Sequence, residues 1–203
     1  MDFTGDGKRD IWSDNPTDAL ASTAAYLKRF GWKKGQPWGV EVRLPKGFNA
    51  GLSSRKIKKN PSTWASLGVK DMNGRPVPNH GPASILLPAG INGAAFMIFD
   101  NFRVIERYNA ADAYVIGVGH LSDRLKGGAP IQASWPRGYD PLSFDERKEL
   151  QRRLQRKGYP LEKIDGIMGP NTLNAVRAYQ KAAGLPVDGY PSQQVLNHIR
   201  KGR

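Results

Sequence analysis

An oxygen-rich segment opens the chain, and its spacing suits a metal ion. Residues 2–10 read Asp-Phe-Thr-Gly-Asp-Gly-Lys-Arg-Asp, so the alternate residues 2, 4 and 6 carry oxygen-bearing side chains and a glycine stands sixth in the segment. Loops of this kind wrap hard cations, because the glycine permits a sharp turn and the seventh carbonyl points inward. We predict a Ca²⁺ site with the ligands Asp2, Thr4, Asp6, Lys8 and Asp18.

Two departures weaken this predicted site. Thr4 stands where an acid is usual, and Ser13 occupies the twelfth position, where a bidentate Glu is usual. Asp18, on the helix that follows, can supply the missing carboxylate. The structural alternative is a polar Asp-Gly turn that only caps this helix.

Tyr108 and Asn109 lie between a predicted strand and a predicted helix that carries Tyr114. A phenol and an amide in a cleft suit the hydroxyl and acetamide groups of sugars. On the pattern alone the structural alternative is favoured, in which Asn109 caps the helix and both tyrosines are core residues.

A third motif begins at the turn Asp165-Gly166, and Gly169-Pro170 then opens a helix that includes Thr172. The helix start leaves N–H groups free at its positive dipole end, which suits a peptide carboxylate. Arg177, two turns on, can add a charge-assisted contact. We predict a binding site formed by Asp165, Gly166, Gly169, Thr172 and Arg177. The alternative, that this turn only shapes the fold, stays open.

Composition narrows the class of protein. The formal net charge of +13 indicates an anionic partner, but the charge is spread along the chain and not massed in one arm, which disfavours a nucleic-acid reader. The absence of Cys excludes disulfides and thiol chemistry. No apolar run approaches the roughly 18 residues that a membrane span needs. We expect no nucleic-acid partner and no membrane span.

The periodicity predicts a mixed chain. A helix begins at Asn15-Pro16 with Leu20 inward, and another follows Asn109 with Tyr114, Val118, Leu121 and Leu125 on its inner face. Between them, short apolar runs separated by turns predict a small sheet. These runs are Val40–Leu44, Ile85–Leu87, Phe96–Phe99 and Phe102–Ile105.

Three further helices are predicted near the carboxyl terminus. The first opens at a capping box formed by Ser143 and Glu146, the second at Gly169-Pro170, and the third carries Val195 and Ile199. Gly and Pro residues before Pro141 indicate a linker. We therefore expect a domain over residues 1–130, a linker over 131–141 and a three-helix module over 142–203.

Residues 142–203 resemble the peptidoglycan-binding domain of bacterial wall hydrolases. The match rests on Leu150-Gln151, Gly158-Tyr159, the Asp-Gly-x-x-Gly-Pro-x-Thr run at 165–172, Tyr179-Gln180 and Gly-Leu-x-x-Asp-Gly at 184–189. The resemblance implies that peptidoglycan strands and their stem peptides are the partner.

The preceding residues resemble the membrane-bound lytic murein transglycosylase B family. The matching segments are the 2–10 loop with Trp12, then 16–32, 42–45, 87–90 and 101–109. The resemblance implies an α+β fold: part of a lysozyme-like core with an inserted small antiparallel sheet. It also implies cleavage of the MurNAc–GlcNAc bond without water to 1,6-anhydro products. It places Tyr26, Tyr108, Asn109 and Tyr114 in the sugar cleft, and Asp2, Thr4, Asp6, Lys8 and Asp18 in a structural calcium loop.

The family's catalytic Glu is not expected within these residues. Such enzymes carry it in a Glu-Ser-x-x-Gly type motif, followed by Gly-x-x-Gln, amino-terminal to the calcium loop. The chemistry needs a carboxylic acid near the glycosidic oxygen, held protonated by an apolar pocket. No such motif surrounds Glu41, Glu106, Glu146, Glu149 or Glu162. Glu41 alternates with apolar residues in a predicted strand, so we expect it to face solvent.

We therefore expect that the chain alone is inactive and that the family's Glu lies upstream. The alternative function is a non-catalytic peptidoglycan-binding or scaffolding protein. A periplasmic or cell-envelope location is expected from the substrate, although the first residues contain no signal peptide. The sequence does not indicate an oligomeric state.

Overall fold

The structure is a computed structural model that describes residues 1–136 and 141–202. Residues 137–140, in the predicted linker, and residue 203 lie outside the described residues. The elements are α1 (Thr17–Arg29), β1 (Gly39–Arg43), α2 (Pro61–Ser66), β2 (Lys70–Asp71), β3 (Ser84–Leu86), β4 (Ala95–Ile98), α3 (Asp100–Glu106), α4 (Asp112–Leu125), α5 (Phe144–Arg156), α6 (Pro170–Ala182) and α7 (Gln193–Arg200).

Contacts within the chain define two units. One contains Met1–Gly39 and Ile98–Gly128, and the other contains Val40–Met97 and Ala129–Arg203. The predicted small sheet and the three predicted carboxy-terminal helices are both present, and both belong to the second unit. Among the described residues, no helix is long and apolar enough to cross a membrane.

Helix α1 begins one residue later than predicted. Pro16 is the N-cap, not the first helical residue, while the Asn15 carboxamide oxygen accepts hydrogen bonds from the backbone N–H and the hydroxyl of Thr17 at 3.1 and 2.6 Å. The predicted inward residue Leu20 is 65% exposed, and Asp18 is the buried residue of this helix. The helix therefore buries a carboxylate within its first turn.

Two buried side chains organise the rest of the first unit. Asn101 is fully buried; its amide donates to the carbonyls of Lys33 and Gln36, and its Oδ1 accepts from the Lys33 N–H. Trp38 is 5% exposed, and its indole N–H donates to Asp123 at 2.7 Å. These bonds fix the segment after α1 to α3 and α4.

The predicted inner face of α4 is wrong. Leu121 and Leu125 are 59% and 81% exposed, and the helix instead buries the face that carries Ile116 and Gly119. A Cβ on Gly119 would lie 2.6 Å from the ring of Trp38. A side chain at this position would clash with the Trp38 ring, so the tertiary contact requires the glycine and overrides the apolar stripe.

The second unit is built on a four-stranded sheet with the order β2-β1-β4-β3, in which β1 and β2 are antiparallel. Trp64 of α2 is fully buried, and its indole N–H donates to the Ala83 carbonyl at 2.8 Å. Glu41 of β1, expected to face solvent, accepts the backbone N–H groups of Gln132 and Ala133. This carboxylate ties the beginning of the predicted linker to the sheet.

The run Phe102–Ile105, predicted as a strand, is helical and belongs to α3. Phe102, Val104 and Ile105 are all buried, so their burial matches neither a strand alternation nor a single clear helix stripe. Short apolar runs of this kind do not distinguish a strand from a buried helix.

The three carboxy-terminal helices are confirmed. Ser143 accepts from the Glu146 N–H, and Glu146 accepts from the Ser143 N–H, which is the predicted capping box at the start of α5. The helices α5, α6 and α7 share one apolar core. Its buried residues are Leu142, Leu150, Leu154, Leu161, Ala175, Val176, Tyr179, Val195, Leu196 and Ile199.

Candidate functional site

Three tyrosines predicted to contact sugar lie together in the first unit. The rings of Tyr26 and Tyr108 meet edge-on with centroids 6.0 Å apart, and those of Tyr108 and Tyr114 stack at 5.7 Å. We call Tyr26, Tyr108 and Tyr114 the tyrosine cluster. Tyr26 lies in the last turn of α1, Tyr108 lies two residues after the end of α3, and Tyr114 lies in the first turn of α4.

The tyrosine cluster is at the surface and is not part of the core. Tyr108 is 69% exposed, which excludes the core interpretation for this residue. Phe30 extends the aromatic surface, since its ring lies 4.6 Å from that of Tyr26, and the Arg107 guanidinium lies 4.9 Å from the Phe30 centroid. Exposed aromatic rings with hydroxyl groups can pack on the apolar face of a sugar and bind its hydroxyls.

Asn109 follows Tyr108 and is exposed. Its Oδ1 accepts the Ala111 N–H at 3.0 Å, while the N-cap of α4 is Ala111. Asn109 therefore shapes the turn before the helix and does not cap it directly. Its amide group stands beside the tyrosine cluster in sequence, as the resemblance implies.

The glutamates of the second unit have other partners. Glu41 binds the backbone at residues 132 and 133, Glu146 belongs to the capping box, and Glu149 is paired with Arg200 at 2.6 Å. Glu106, two residues before Tyr108, is half-buried at the end of α3.

Three of the five predicted metal ligands come together. Carboxylate oxygens of Asp2, Asp6 and Asp18 all lie within 4.8 Å of one another. Asp18 is 4% exposed and accepts the backbone N–H groups of Phe3 and Thr4 at 2.8 and 3.2 Å. The Phe3 N–H, followed by that of Thr4, lowers the pKa of Asp18, although burial opposes the shift.

The conformation of the loop at residues 2–10 depends on Asp2, its first acidic residue. Asp2 accepts the Gly5 N–H at 2.7 Å and the Gly7 N–H at 3.0 Å, and Asp6 accepts the N–H of Lys8 at 2.9 Å. These bonds fold the chain so that the carboxylates converge on Asp18. A convergent set of hard carboxylate oxygens is the chemistry that Ca²⁺ requires, so the three carboxylates fit this ion.

In the carboxy-terminal helices, a buried glutamine holds the third motif, a role that its place in the family motif Leu150-Gln151 did not reveal. Gln151 is 1% exposed; its amide donates to Asp165 at 3.1 Å and to Thr172 at 3.2 Å, and its oxygen accepts the Gly166 N–H at 2.8 Å. Gly169 is the N-cap of α6. Asp165, Gly166 and Thr172 thus belong to one hydrogen-bonded assembly.

Arg177, the fifth predicted residue of this site, lies elsewhere. Its guanidinium donates to the Ser53 carbonyl at 3.0 Å, and it lies so close to Gly189 that a Cβ there would be 2.6 Å from its Cζ. Burial lowers the pKa of Arg177, while Asp188 opposes the shift. Arg177 therefore makes its contacts inside the second unit.

A second buried glutamine makes an equivalent assembly. Gln180 is 3% exposed, donates to Asp188 at 2.7 Å and accepts the Gly189 N–H at 2.8 Å. Both glutamines could have been found from a repeat in the sequence, because a Leu-Gln or Tyr-Gln pair precedes each of the two Asp-Gly turns.

Comparison with known proteins gives two family matches. The transglycosylase SLT domain model matches residues 1–123, which is more than half of the chain, and the peptidoglycan binding domain model matches residues 144–199. A membrane-bound lytic murein transglycosylase B from Escherichia coli (strain K12) is 35% identical over 131 residues, which cover 62% of this chain and 33% of that protein.

Similar proteins are also found among solved structures. SltB3 from Pseudomonas aeruginosa, solved with NAG-anhNAM-pentapeptide and with NAG-NAM-pentapeptide, is 50% identical with a TM-score of 0.90. The match covers 98% of this chain and 54% of SltB3, so this chain spans about half of that protein's length. A spore cortex-lytic enzyme of Halalkalibacterium halodurans is 42% identical over 57 residues, 28% of this chain and 17% of the enzyme.

Proposed function

The chain belongs to the transglycosylase SLT domain family, and on that premise we propose that it takes part in the cleavage of peptidoglycan glycan strands. The reaction breaks the MurNAc–GlcNAc bond without water and leaves a 1,6-anhydro sugar. The observation that supports the proposal is the exposed tyrosine cluster, which lies within the family-matched residues 1–123. SltB3, which is similar over nearly all of this chain, was solved with peptidoglycan fragments of this kind.

In this proposal Tyr26, Tyr108 and Tyr114 hold the glycan by ring contacts, and Asn109 binds an acetamide or hydroxyl group. The exposed fraction of Tyr108, 69%, leaves its ring available to a ligand. In this arrangement the ring contacts position the strand.

The proton must come from a carboxylic acid. Glu41, Glu146 and Glu149 are fixed by the backbone, by a cap and by arginines. We propose that these 203 residues alone do not cleave glycan, and that cleavage needs the Glu of the family motif.

The carboxy-terminal helices are proposed to hold the protein on the wall. Attachment raises the local concentration of substrate without entering the chemistry. The proposed contact surface is the Asp165–Thr172 turn, with Asp165, Gly166, Gly169 and Thr172. The polymer lies in the bacterial cell envelope, so we propose a periplasmic or envelope location.

The acidic loop is proposed to bind Ca²⁺ in a structural role. Asp2, Asp6 and Asp18 would hold the ion, with Thr4 and Lys8 as further oxygen donors. Bound there, the ion would offset two of the three negative charges and fasten the amino-terminal loop to α1.

The products of digestion test the proposed reaction. Purified sacculi are incubated with the 203-residue chain and with a form of the protein that includes the family's Glu motif, and the released muropeptides are analysed by mass spectrometry. We expect 1,6-anhydro products from the second sample alone. Products with reducing ends would indicate a hydrolase and contradict the proposal.

The alternative function is a non-catalytic wall-binding or scaffolding protein. It is favoured if both samples bind sacculi but release nothing. A third possibility, nucleic-acid binding, has only the net charge of +13 in its support.

A further inference from the structure

The two Asp-Gly turns of the carboxy-terminal helices are built alike. In both, the glutamine amide donates to Asp Oδ1, and the glutamine oxygen accepts the glycine N–H at 2.8 Å. In both, the same Oδ1 accepts the N–H of the residue after the glycine at 2.8 Å, and that glycine has a φ of 73°. The next helix has its N-cap three residues after each glycine.

The second turn holds another part of the chain. Oδ2 of Asp188, the oxygen that the glutamine leaves free, accepts the backbone N–H of Ile91 at 3.2 Å. Tyr190, the residue after the Asp-Gly pair, lies against Gly90, since a Cβ on Gly90 would be 3.3 Å from the Tyr190 Cβ. The second turn therefore binds the backbone of a neighbouring turn, at Gly90 and Ile91, through one carboxylate oxygen and one neighbouring side chain.

The bound backbone has an unusual configuration. Gly90 has a φ of 75°, and an L side chain there would put its Cβ 2.8 Å from Asp188 Oδ2. Positive φ is unfavourable for L residues and favourable for glycine, and by mirror symmetry it is also favourable for D residues. The second turn thus receives a glycine, or a residue of D configuration, followed by a backbone N–H.

The first turn presents the same groups to solvent. Asp165 accepts hydrogen bonds from the Gln151 amide and the Ile167 N–H through Oδ1, and no residue within the described part of the chain donates to its Oδ2. Ile167, the counterpart of Tyr190, is 64% exposed, and Phe144, which packs on Gly166, is 51% exposed. The Lys148 ammonium lies 4.3 Å from the Phe144 ring centroid and adds a positive charge beside this apolar surface.

We propose that Asp165 and Ile167 form a docking site for the D-Ala-D-Ala end of a wall stem peptide. Asp165 Oδ2 accepts the N–H of the terminal D-alanine, the preceding D-alanine takes the positive φ that Gly90 takes at the second turn, and Ile167 packs against its backbone as Tyr190 packs against Gly90. Lys148 faces the terminal carboxylate. This inference rests on the proposed wall-binding function and assigns it a ligand class.

Substitution of Asp165 by Asn tests the docking site. In Asp165→Asn the side-chain oxygen can keep the bonds to Gln151 and Ile167, but the outward atom becomes a donor and cannot accept an N–H. The change also raises the formal net charge of +13 by one unit, so diffuse attraction of an anionic peptide would become stronger. A specific hydrogen bond to Asp165 Oδ2 therefore predicts weaker binding by Asp165→Asn, whereas diffuse charge attraction predicts stronger binding.

The matched control is Asp188→Asn, which makes the same change at the turn that already holds Ile91. Titration calorimetry of each 203-residue chain uses a muropeptide with a pentapeptide stem ending in D-Ala-D-Ala. We expect Asp165→Asn to weaken binding about tenfold or more, as for a lost hydrogen bond to a charged group. We expect Asp188→Asn to keep the affinity and to lower the melting temperature. The wild-type chain should bind the diastereomer ending in L-Ala-L-Ala about tenfold more weakly.

Equal or tighter binding by Asp165→Asn, or equal binding of the two diastereomers, would overturn the docking site. If Asp165→Asn melts below the wild type, Ile167→Ser replaces it, because the exposed Ile167 side chain can change without loss of the turn. Sedimentation of the wild type with sacculi is measured in parallel. If the wild type sediments with sacculi and Asp165→Asn binds the muropeptide as tightly as the wild type, only this docking site is contradicted. If the wild type fails to sediment, the proposed wall-binding function is contradicted as well.

Discussion

Tyr108 decides between two interpretations that the sequence left open. As a core residue it would be inaccessible, but it is 69% exposed and lies between the rings of Tyr26 and Tyr114. An aromatic residue that remains exposed despite two ring neighbours is an available contact surface for a ligand. The tyrosine cluster is therefore the part of the first unit that the proposed glycan contact depends on.

Removal of this ring should weaken glycan binding. We expect Tyr108→Ala to bind soluble glycan oligomers about tenfold more weakly, since exposed aromatic anchors often supply over 1 kcal/mol of binding. Leu125→Ala is the control, because Leu125 is 81% exposed and lies outside the tyrosine cluster. Fluorescence titration compares the three chains. Equal affinity of all three would contradict the proposed role of the cluster.

The metal site depends on Asp18, which is the buried member of the acidic loop. Asp18→Asn keeps an oxygen for the N–H groups of Phe3 and Thr4 but removes a negative charge from the site. We expect calcium affinity to fall about tenfold, because ligand charge tunes such sites.

Calorimetry with CaCl₂ measures this effect. Asp14→Asn serves as the control, since Asp14 is exposed and is not among the convergent carboxylates. If the wild-type chain gives no calcium heat and melts identically in chelator, the proposed calcium site is wrong.

At the scale of single residues, the sequence allowed us to predict local patterns of side chains, but not the contacts that a side chain makes with residues far along the chain. The spacing of Asp2 and Asp6 indicated a convergent loop, because the alternation and the glycines are local features. Glu41 was expected in solvent but binds the backbone of residues 132 and 133, some ninety residues further along the chain. The buried role of Gln151 was missed for the same reason: its partners lie in a distant turn.

At the element scale, a group of ion pairs links the middle of α5 to the end of α7. Glu149 of α5 accepts hydrogen bonds from Arg200 of α7 at 2.6 Å and from Arg153 at 2.7 Å. Arg200 first, and then Arg153, lower the pKa of Glu149 from 4.5 to about 2. Because the folded-state pKa is depressed, this group contributes full stability above about pH 4.5 and loses it as the pH falls toward 2.

The acid sensitivity of Glu149→Gln tests this link. The melting temperature of the wild type should fall more between pH 5 and pH 2.5 than that of the variant, which has no carboxylate to protonate. Glu162→Gln is the control, since Glu162 is exposed and lies outside the group formed by Glu149, Arg153 and Arg200. Circular dichroism melts at several pH values measure the difference. Parallel curves for the wild type and Glu149→Gln would contradict the prediction.

Elements that begin at a short sequence motif were predicted correctly, whereas elements without such a motif were not. The capping box at Ser143 and Glu146 and the Gly169-Pro170 start of α6 are each encoded within four residues. The helical run Phe102–Ile105 and the inner face of α4 depend on what they pack against, such as Trp38 at Gly119. Their errors follow from tertiary contacts that no local pattern contains.

At the scale of the whole chain, family membership came from motif order along the sequence, and the family models match residues 1–123 and 144–199. The division into units was not foreseen, because the sheet residues Val40–Met97 group with Ala129–Arg203 through contacts distant in sequence. Arg177 and Asp188 make two of these contacts, with Ser53 and Ile91.

The central claim is that this chain binds peptidoglycan by specific contacts and not by its net charge of +13 alone. The most direct measurement is co-sedimentation of the 203-residue chain with purified sacculi at physiological salt, beside retention on a DNA column under the same conditions. Screening at this ionic strength weakens diffuse attraction beyond about 8 Å. We predict that the chain sediments with sacculi and passes through the DNA column. The proposed function would be contradicted if the chain is retained on the DNA column and stays in the supernatant when the sacculi are sedimented.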